Sequence, residues 1–295
     1  MAIKESELII NPDGSIYHLN LKPQDIADTI ITVGDQNRVD RVAQFFDEVI
    51  FETQKREFKT KTGFYNGKKL TVISTGIGTD NIDIVINELD ALANIDFKTR
   101  TIKEEKRQFQ FVRIGTSGSL QKNVPVDNFV ASTGGVGFDG LLHYYAQGSE
   151  VINRKMTQAL IEHLQDSPKK AEPYVVDASQ HLLDKFKASD EKLLHFGLTG
   201  TNVGFYGPQG RVLRLPLSKT NFVDSLASFN YKNQQITNLE METSAIYGLA
   251  KMLGHQALSV NAIIANRAMG TFSKNPRDLV NNLIQFVLQT LTEEK

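Results

Sequence analysis

Four times in its first half the chain runs through a short apolar, β-rich segment and then breaks at glycine. Thr29-Ile-Ile-Thr-Val33 stops at Gly34, and Val39, Val42, Ala43 and Phe46 follow at helical spacing. Leu70-Thr-Val-Ile-Ser-Thr75 closes at Gly76 and Gly78, ahead of a helical face of Ile82, Ile84, Val85, Leu89 and Leu92. Phe109 to Ile114 runs into Gly115-Thr-Ser-Gly118, and Asn128 to Thr133 into Gly134 and Gly135. In the second half Leu194–Thr201, Gln235–Leu239 and Ala257–Ala265 read as strands. A helix through Ile246 to Leu253 stops at Gly254, suited to a left-handed end, and a last helix runs from Asp278 to about Leu291. Strands alternating with amphipathic helices predict a single-domain, three-layer α/β/α fold around a central mixed β-sheet.

Composition narrows the function classes. The 295 residues include 33 basic and 34 acidic side chains and no cysteine, which removes disulfides, Cys-ligated metals and a Cys nucleophile. A net charge of −1 argues against broad capture of nucleic acid or anionic membrane, though it leaves room for a locally cationic pocket. The N-terminus has no apolar stretch of a signal peptide and no segment reaches membrane-spanning length, so a cytoplasmic location is expected. One domain over 1–295 is preferred, with surface insertions near 95–108 (Lys98 to Arg107, dense in charge) and near 165–175 (Gln165 to Pro173, polar with two prolines).

In open α/β sheets ligands collect outside the carboxyl ends of strands. Gly34-Asp-Gln-Asn-Arg38 lies where a strand hands over to a helix, so its backbone N–H groups could receive an anion; equally, Asp35 could cap the helix with Arg38 as its surface partner. Arg113-Ile-Gly-Thr-Ser-Gly118 offers a guanidinium and two hydroxyls among glycines that could also serve a tight turn. With Arg56 these arginines could fork-bind one phosphate. Glu240 and Glu242 lie two apart before a helix, placed either to stabilise its N-terminus or to accept sugar hydroxyls, with Met241 on the sugar face. Phe205-Tyr-Gly-Pro-Gln-Gly-Arg211 is either a surface turn or a frame in which Gln209 and Arg211 read a planar heterocycle stacked on Phe205.

Taken in order, these blocks resemble the nucleoside phosphorylase-I family, and within it the uridine-cleaving branch. The likeness runs from His18-Leu-Asn-Leu21 and Asp25, through Gly34-Asp35…Arg38, Arg56-Glu-Phe58 and Ser74-Thr-Gly-Ile-Gly78. It continues through Arg113–Gly118, Phe205-Tyr…Gln209…Arg211 and Glu240-Met-Glu242 to Asn266-Arg267. The resemblance implies that phosphate attacks C1′ of uridine, with deoxyuridine or thymidine as further substrates, releasing uracil and ribose 1-phosphate. It implies a phosphate site of Gly34, Arg38, Arg113 and Thr116, with Arg56 added by a neighbouring subunit. Met241, Glu242 and a neighbour's His18 would hold ribose. Ser117, Gly118, Phe205, Gln209, Arg211, Ile264, Ala265 and Arg267 would hold the base. Glu242, Arg113, Gln209 and Arg211 would carry the catalysis. No metal or organic cofactor is implied, only phosphate as co-substrate, and the assembly is a dimer or a hexamer built as a trimer of dimers.

Some positions depart from the family pattern. Gln36 replaces a proline after Gly-Asp, and Thr199 to Gly204 lacks the usual Ser-Ser-Asp. Glu57 and Ile77 match an interface site for a monovalent cation, but Asn81 replaces its serine. Purine-specific relatives place an aspartate after the last core strand, where this chain has Ile264-Ala-Asn-Arg267. The alternatives are a purine or broad nucleoside phosphorylase, a nucleosidase using water, and a non-catalytic nucleoside-binding protein.

Overall fold

Thr29–Val33 is buried at all five positions, as a strand with neighbours on both sides and helices on both faces must be. In the computed structural model, which describes residues 2–164 and 172–293, this strand (β1) leads into helix α1, Gln36–Ala43. Strands β2 (Glu48–Lys55), β3 (Phe58–Tyr65) and β4 (Lys68–Ser74) form an antiparallel meander, and β4 returns parallel to β1. Helix α2 (Thr79–Asn94) follows, then a small ribbon of β5 (Ile95–Asp96) and β6 (Thr101–Ile102). The ribbon occupies part of the expected insertion at 95–108, and Lys98, Lys103, Glu104, Glu105 and Lys106 are exposed on it. Of the second insertion, residues 165–171 lie outside the described residues.

Strand β7 (Gln110–Ser119) pairs parallel with β1, and β8 (Phe129–Gly137) follows it in the chain. Helices α3 (Gly148–Val151) and α4 (Arg154–His163), strand β9 (Tyr174–Asp177) and helix α5 (Gln180–Lys187) come next. Strand β10 (Leu194–Thr201), helix α6 (Phe222–Ser228), β11 (Asn230–Tyr231) and β12 (Gln234–Glu240) complete the far side. Helix α7 (Thr243–Met252), β13 (Gln256–Asn266), β14 (Thr271–Phe272) and α8 (Pro276–Thr292) close the chain. The main sheet runs β11-β12-β10-β8-β13-β7-β1-β4-β3-β2. β12 also pairs back onto β7, with Asn238 opposite Ser119 and Leu239 opposite Gly118. Five strands therefore form a closed ring, β7-β13-β8-β10-β12, from which the rest of the sheet extends.

Helices cover both faces, as the alternation of strand and helix patterns predicts. Ile82, Val85, Ile86 and Leu89 of α2 pack with Ile246 and Leu249 of α7 and with the N-terminal Leu19 and Leu21. On the opposite face Val39 and Val42 of α1, Phe186 of α5 and Leu283, Ile284 and Val287 of α8 share one core. Each such fully buried side chain contributes roughly 1.5–3 kcal/mol, an upper estimate because unfolded chains are partly compact. Gly254 ends α7 with φ +80°, the left-handed geometry expected of it.

The glycines after the third and fourth apolar runs behave differently from a turn. β7 continues through Gly115 and Gly118 to Ser119, and β8 through Gly134 and Gly135 to Gly137. These glycines make room for neighbours: a Cβ on Gly135 would press on the Ser244 backbone at the start of α7.

Candidate active site

Arg113 occupies the middle of β7, only 6% exposed, and its guanidinium lies across the strand. Gly115 allows this, since a Cβ there would overlap Arg113 Nη1 and Asn261 Oδ1. Arg113 Nη1 donates to Asn261 Oδ1 (2.8 Å), Nη2 pairs closely with Glu242 Oε2, and Glu240 Oε2 lies 3.5 Å away. Burial alone would push the Arg113 guanidinium down, but the Glu242 and Glu240 carboxylates outweigh it and hold it above its ordinary value. Burial pushes the Glu240 carboxyl up, opposed by Arg113 and reinforced by Glu242.

The two carboxylates have different partners. Glu240 accepts from the Thr201 hydroxyl (2.7 Å) and from the backbone N–H groups of Glu242 and Thr243, so it secures the N-terminus of α7. Glu242 bridges Arg113 and the Gly78 N–H (2.9 Å), joining the end of β12 to the loop ahead of α2. Each Glu242 oxygen takes one of these donors and keeps further acceptor capacity. Met241, between the two carboxylates, is half-buried.

Of the two readings of the Gly34–Arg38 segment, the helix cap is present, without Arg38 as its surface partner. Asp35 caps α1 by accepting from the Asn37 N–H (3.0 Å). Arg38, however, turns inward and donates Nη1 to the Ile114 carbonyl (3.1 Å), while its Nε is buried without a partner. Burial first, and then the neighbouring Arg113, lower its pKa to about 10. Gly34 faces the Gly76 carbonyl, and the half-buried Thr116 hydroxyl has no hydrogen-bond partner among the described residues.

A second cluster forms around the turn Gly207–Gln209. Gln209 is 2% exposed, and its Oε1 accepts from Arg211 Nη1 (2.7 Å), which also donates to the Phe205 carbonyl (2.6 Å). The Arg211 guanidinium lies 3.9 Å from the centroid of the half-exposed Phe205 ring. Arg267 donates to the Gln209 and Gly210 carbonyls and so anchors this turn to the end of β13. A Cβ on Gly118 would meet Arg211 Nη2, Arg267 Cδ and the Ala265 carbonyl at 3.9–4.0 Å, so Gly118 lies against the same cluster. Ile264 and Ala265 are half-buried beside it at a bulge in β13. The Ser117 hydroxyl accepts from Asn238 Nδ2 (2.8 Å).

His18 and Arg56 stand apart from these clusters, with no hydrogen bond or ion pair to Arg38, Arg113 or Glu242 among the described residues. His18 Nδ1 meets Glu88 Oε1 (2.6 Å), and Glu88 also accepts the backbone N–H groups of His18 and Leu19. Exposed Arg56 sits at the tip of the β2–β3 hairpin with φ +55°. At the Glu57–Ile77 position Asn81 Nδ2 donates to the Ile77 carbonyl (3.5 Å). Among the described residues no group of three or more His, Cys, Asp or Glu side chains could hold a metal ion.

Sequence reading did not anticipate Asn261, Glu88 or the Gly78 N–H. Asn261 sits inside the apolar run of β13, and an amide in such a run is itself a signal, since a buried amide needs a partner. Glu88 is one acid on a helix face, and no sequence pattern ties it to His18.

The Phosphorylase superfamily matches residues 28–292. A uridine phosphorylase of Thermococcus kodakarensis is 29% identical over 267 residues, covering 89% of this chain and 81% of the relative. A DeoD-type purine nucleoside phosphorylase of Oceanobacillus iheyensis is 25% identical over 279 residues, covering 93% and 98%. A crystal structure of a Trypanosoma brucei nucleoside phosphorylase, described as showing uridine phosphorylase activity, aligns with a TM-score of 0.86 at 30% identity, covering 97% and 99%.

Proposed function

This chain belongs to the Phosphorylase superfamily, and on that footing we propose that it is a pentosyltransferase catalysing reversible phosphorolysis of uridine to uracil and ribose 1-phosphate. The observation that carries the reading is the cluster of Arg38, Arg113 and Glu242, with Arg38 Nε buried and without a partner. Phosphate is received by the Gly34 N–H, Arg38, Arg113 and Thr116, and Glu242 accepts hydrogen bonds from the ribose hydroxyls against Met241. A phosphate oxygen forms the new bond to C1′ as the C1′–N1 bond breaks, and that electron pair leaves with the base. Cationic character on the ribose is favoured by the phosphate oxygens and by Glu242. Negative charge on the pyrimidine is met by donors from Gln209 and Arg211, with Phe205 stacking and Ser117, Gly118, Ile264 and Ala265 lining the base site. Holding both substrates in one frame removes orientational cost from the barrier.

Arg56 and His18 serve a neighbouring copy, Arg56 at its phosphate and His18 at its sugar, in a homodimer or a hexamer built from dimers. Their lack of contact with the cluster of their own chain supports this. Pyrimidine selectivity is supported by the Gln209–Arg211 pair and by Asn266, whose amide is committed to the Gln121 (2.9 Å) and Val124 (2.8 Å) carbonyls. The site then presents no carboxylic acid to a purine N7 after β13. Three phosphate-directed arginines also disfavour a water-using nucleosidase. The reaction belongs to pyrimidine salvage in the cytoplasm, which a cysteine-free chain suits. No helix among the described residues is long and apolar enough to cross a membrane.

The decisive experiment incubates the purified protein with uridine or inosine, each with and without phosphate, and follows base release. Phosphate-dependent uracil release is expected. Equal release without phosphate would overturn phosphorolysis, and inosine cleaved as fast as uridine would overturn pyrimidine selectivity.

A further inference from the structure

Arg56 and His18 are far apart in sequence, yet the Tyr17 ring lies near both. The Tyr17 ring meets the His18 ring edge-on at 4.7 Å between centroids, and the Arg56 guanidinium carbon lies 6.0 Å from the same Tyr17 centroid. Lys55 Nζ lies 4.7 Å from that centroid, donates to the Tyr17 carbonyl, and reaches Asn11 Oδ1 at 3.3 Å. Asn20 Nδ2 donates to the Thr53 hydroxyl (3.0 Å), a second stitch between the N-terminal strap and the β2–β3 hairpin. The two outer ends are also held: Gln36 Nε2 donates to the Arg56 carbonyl (2.7 Å), and Glu88 holds His18 Nδ1. What remains free in this assembly is the Arg56 guanidinium and the His18 Nε2 edge, neither of which has a hydrogen-bond partner among the described residues.

We propose that Tyr17 is a positioning residue whose ring holds Arg56 and His18 as one preassembled unit, fixing the spacing between a phosphate-directed cation and a sugar-directed imidazole. This rests on the reading that Arg56 and His18 act in a neighbouring copy's site. An arginine on a solvent-exposed hairpin tip loses rotamer freedom when it engages phosphate, and an aromatic face that already restrains it lowers that cost. A cation over an aromatic face is attracted to the ring's quadrupole, so the electron density of the ring, not only its shape, matters here.

The test uses the full-length enzyme and measures KM for phosphate and KM for uridine separately, beside kcat. Tyr17→Phe keeps the ring and is expected to stay within about twofold of the parent. Pentafluorophenylalanine in place of Tyr17 keeps the shape and reverses the quadrupole, and is expected to raise KM for phosphate severalfold with a smaller change in kcat. Tyr17→Leu is expected to raise both KM values. In an Arg56→Ala background Tyr17→Leu should no longer raise KM for phosphate. A fluorinated ring that leaves KM for phosphate unchanged, or Tyr17 and Arg56 effects that multiply independently, would overturn the coupling. If Arg56→Ala and His18→Ala themselves leave both KM values unchanged, the reading of shared sites fails instead, and the two failures are distinguishable.

Discussion

Replacing Arg113 by alanine should damage stability as well as phosphate use, and the loss should depend on pH in a defined direction. The guanidinium is only 6% exposed and faces two buried carboxylates, Glu240 and Glu242. Removing one partner of a buried ion pair leaves uncompensated charge and costs about 3–5 kcal/mol. For a chain of this length that corresponds to a fall in Tm of about 10 °C. Burial already raises the Glu240 carboxyl and Arg113 is the main opposing influence, so its removal pushes Glu240 higher still. A carboxyl raised above its unfolded value binds a proton in the native state that the unfolded chain has released. Stability then falls as pH rises from the unfolded value near 4.5 through the folded one. The deficit of Arg113→Ala relative to the parent should therefore be largest near neutral pH and shrink as pH approaches 5. Calorimetric melts across this range, with and without phosphate, check each part. The parent should gain about 2.7 kcal/mol from phosphate at one hundred times its Kd, and the variant should gain almost none. A small, pH-independent Tm change with phosphate protection retained would refute the reasoning.

Gly115→Ala places a methyl group into Arg113 Nη1, so it should raise KM for phosphate strongly and cost about 1–3 kcal/mol of stability, read by kinetics and urea unfolding. Arg38 has a pKa of about 10 and phosphate favours its charged form, so kcat/KM for phosphate should break downward near pH 10; a flat profile well above that pH would contradict it. Arg211→Ala should lower kcat/KM for uridine by about 10²-fold through the loss of a donor to the departing base, with a much smaller change in phosphate binding by titration. Burial lowers His195 below its ordinary 6.5, and its Nε2 meets Asn128 Oδ1 at 2.9 Å. The unfolded chain then takes up a proton first, so stability should fall as pH drops below about 6.5, and His195→Gln should flatten that part of the melting profile.

What was legible in the chain follows from how each element is buried. β1 matches Thr29–Val33 because a strand buried at every position shows an uninterrupted apolar or small run, and β10 matches Leu194–Thr201 through its buried half, Gly197–Thr201, where small residues and Leu198 carry the signal. The β2–β3 hairpin escaped notice because β2 is an edge strand, with Glu48, Val49, Ile50, Glu52 and Gln54 exposed, so no core-facing run marks it. The glycines of β7 suggested a turn because glycine weakens strands, yet here they clear space for a guanidinium and for neighbouring loops. The pairing of β12 with β7 joins segments more than a hundred residues apart, and nothing local in either strand encodes it. Within the site, residues adjoining strand ends were readable as a group. Their grouping into phosphate, sugar and base residues, with His18 and Arg56 set apart, was implied by the resemblance; the contacts that hold them, Arg113 with Asn261, Glu242 with the Gly78 N–H and His18 with Glu88, required three-dimensional structure.

The closed ring of strands separates the site into a slow and a fast half. β7 is bonded to β13 along its length, to β1 over Gln110–Arg113 and to β12 at its end, so Arg113, Thr116 and Ser117 cannot open to solvent without dismantling the centre of the molecule. Their amides belong among the last to exchange with deuterium, near the limit of global unfolding. Residues 202–220 lie outside any strand or α-helix and expose Val212, Leu213 and Leu215, which places them at the early-exchanging end. On the proposed reading Arg113 and Thr116 deliver phosphate from the most durable part of the fold, while Phe205, Gln209 and Arg211 meet the base from a segment that can be rewritten with less cost to stability. If that reading holds, changes between residues 202 and 220 can alter the choice of nucleobase without disturbing Arg113 or Thr116.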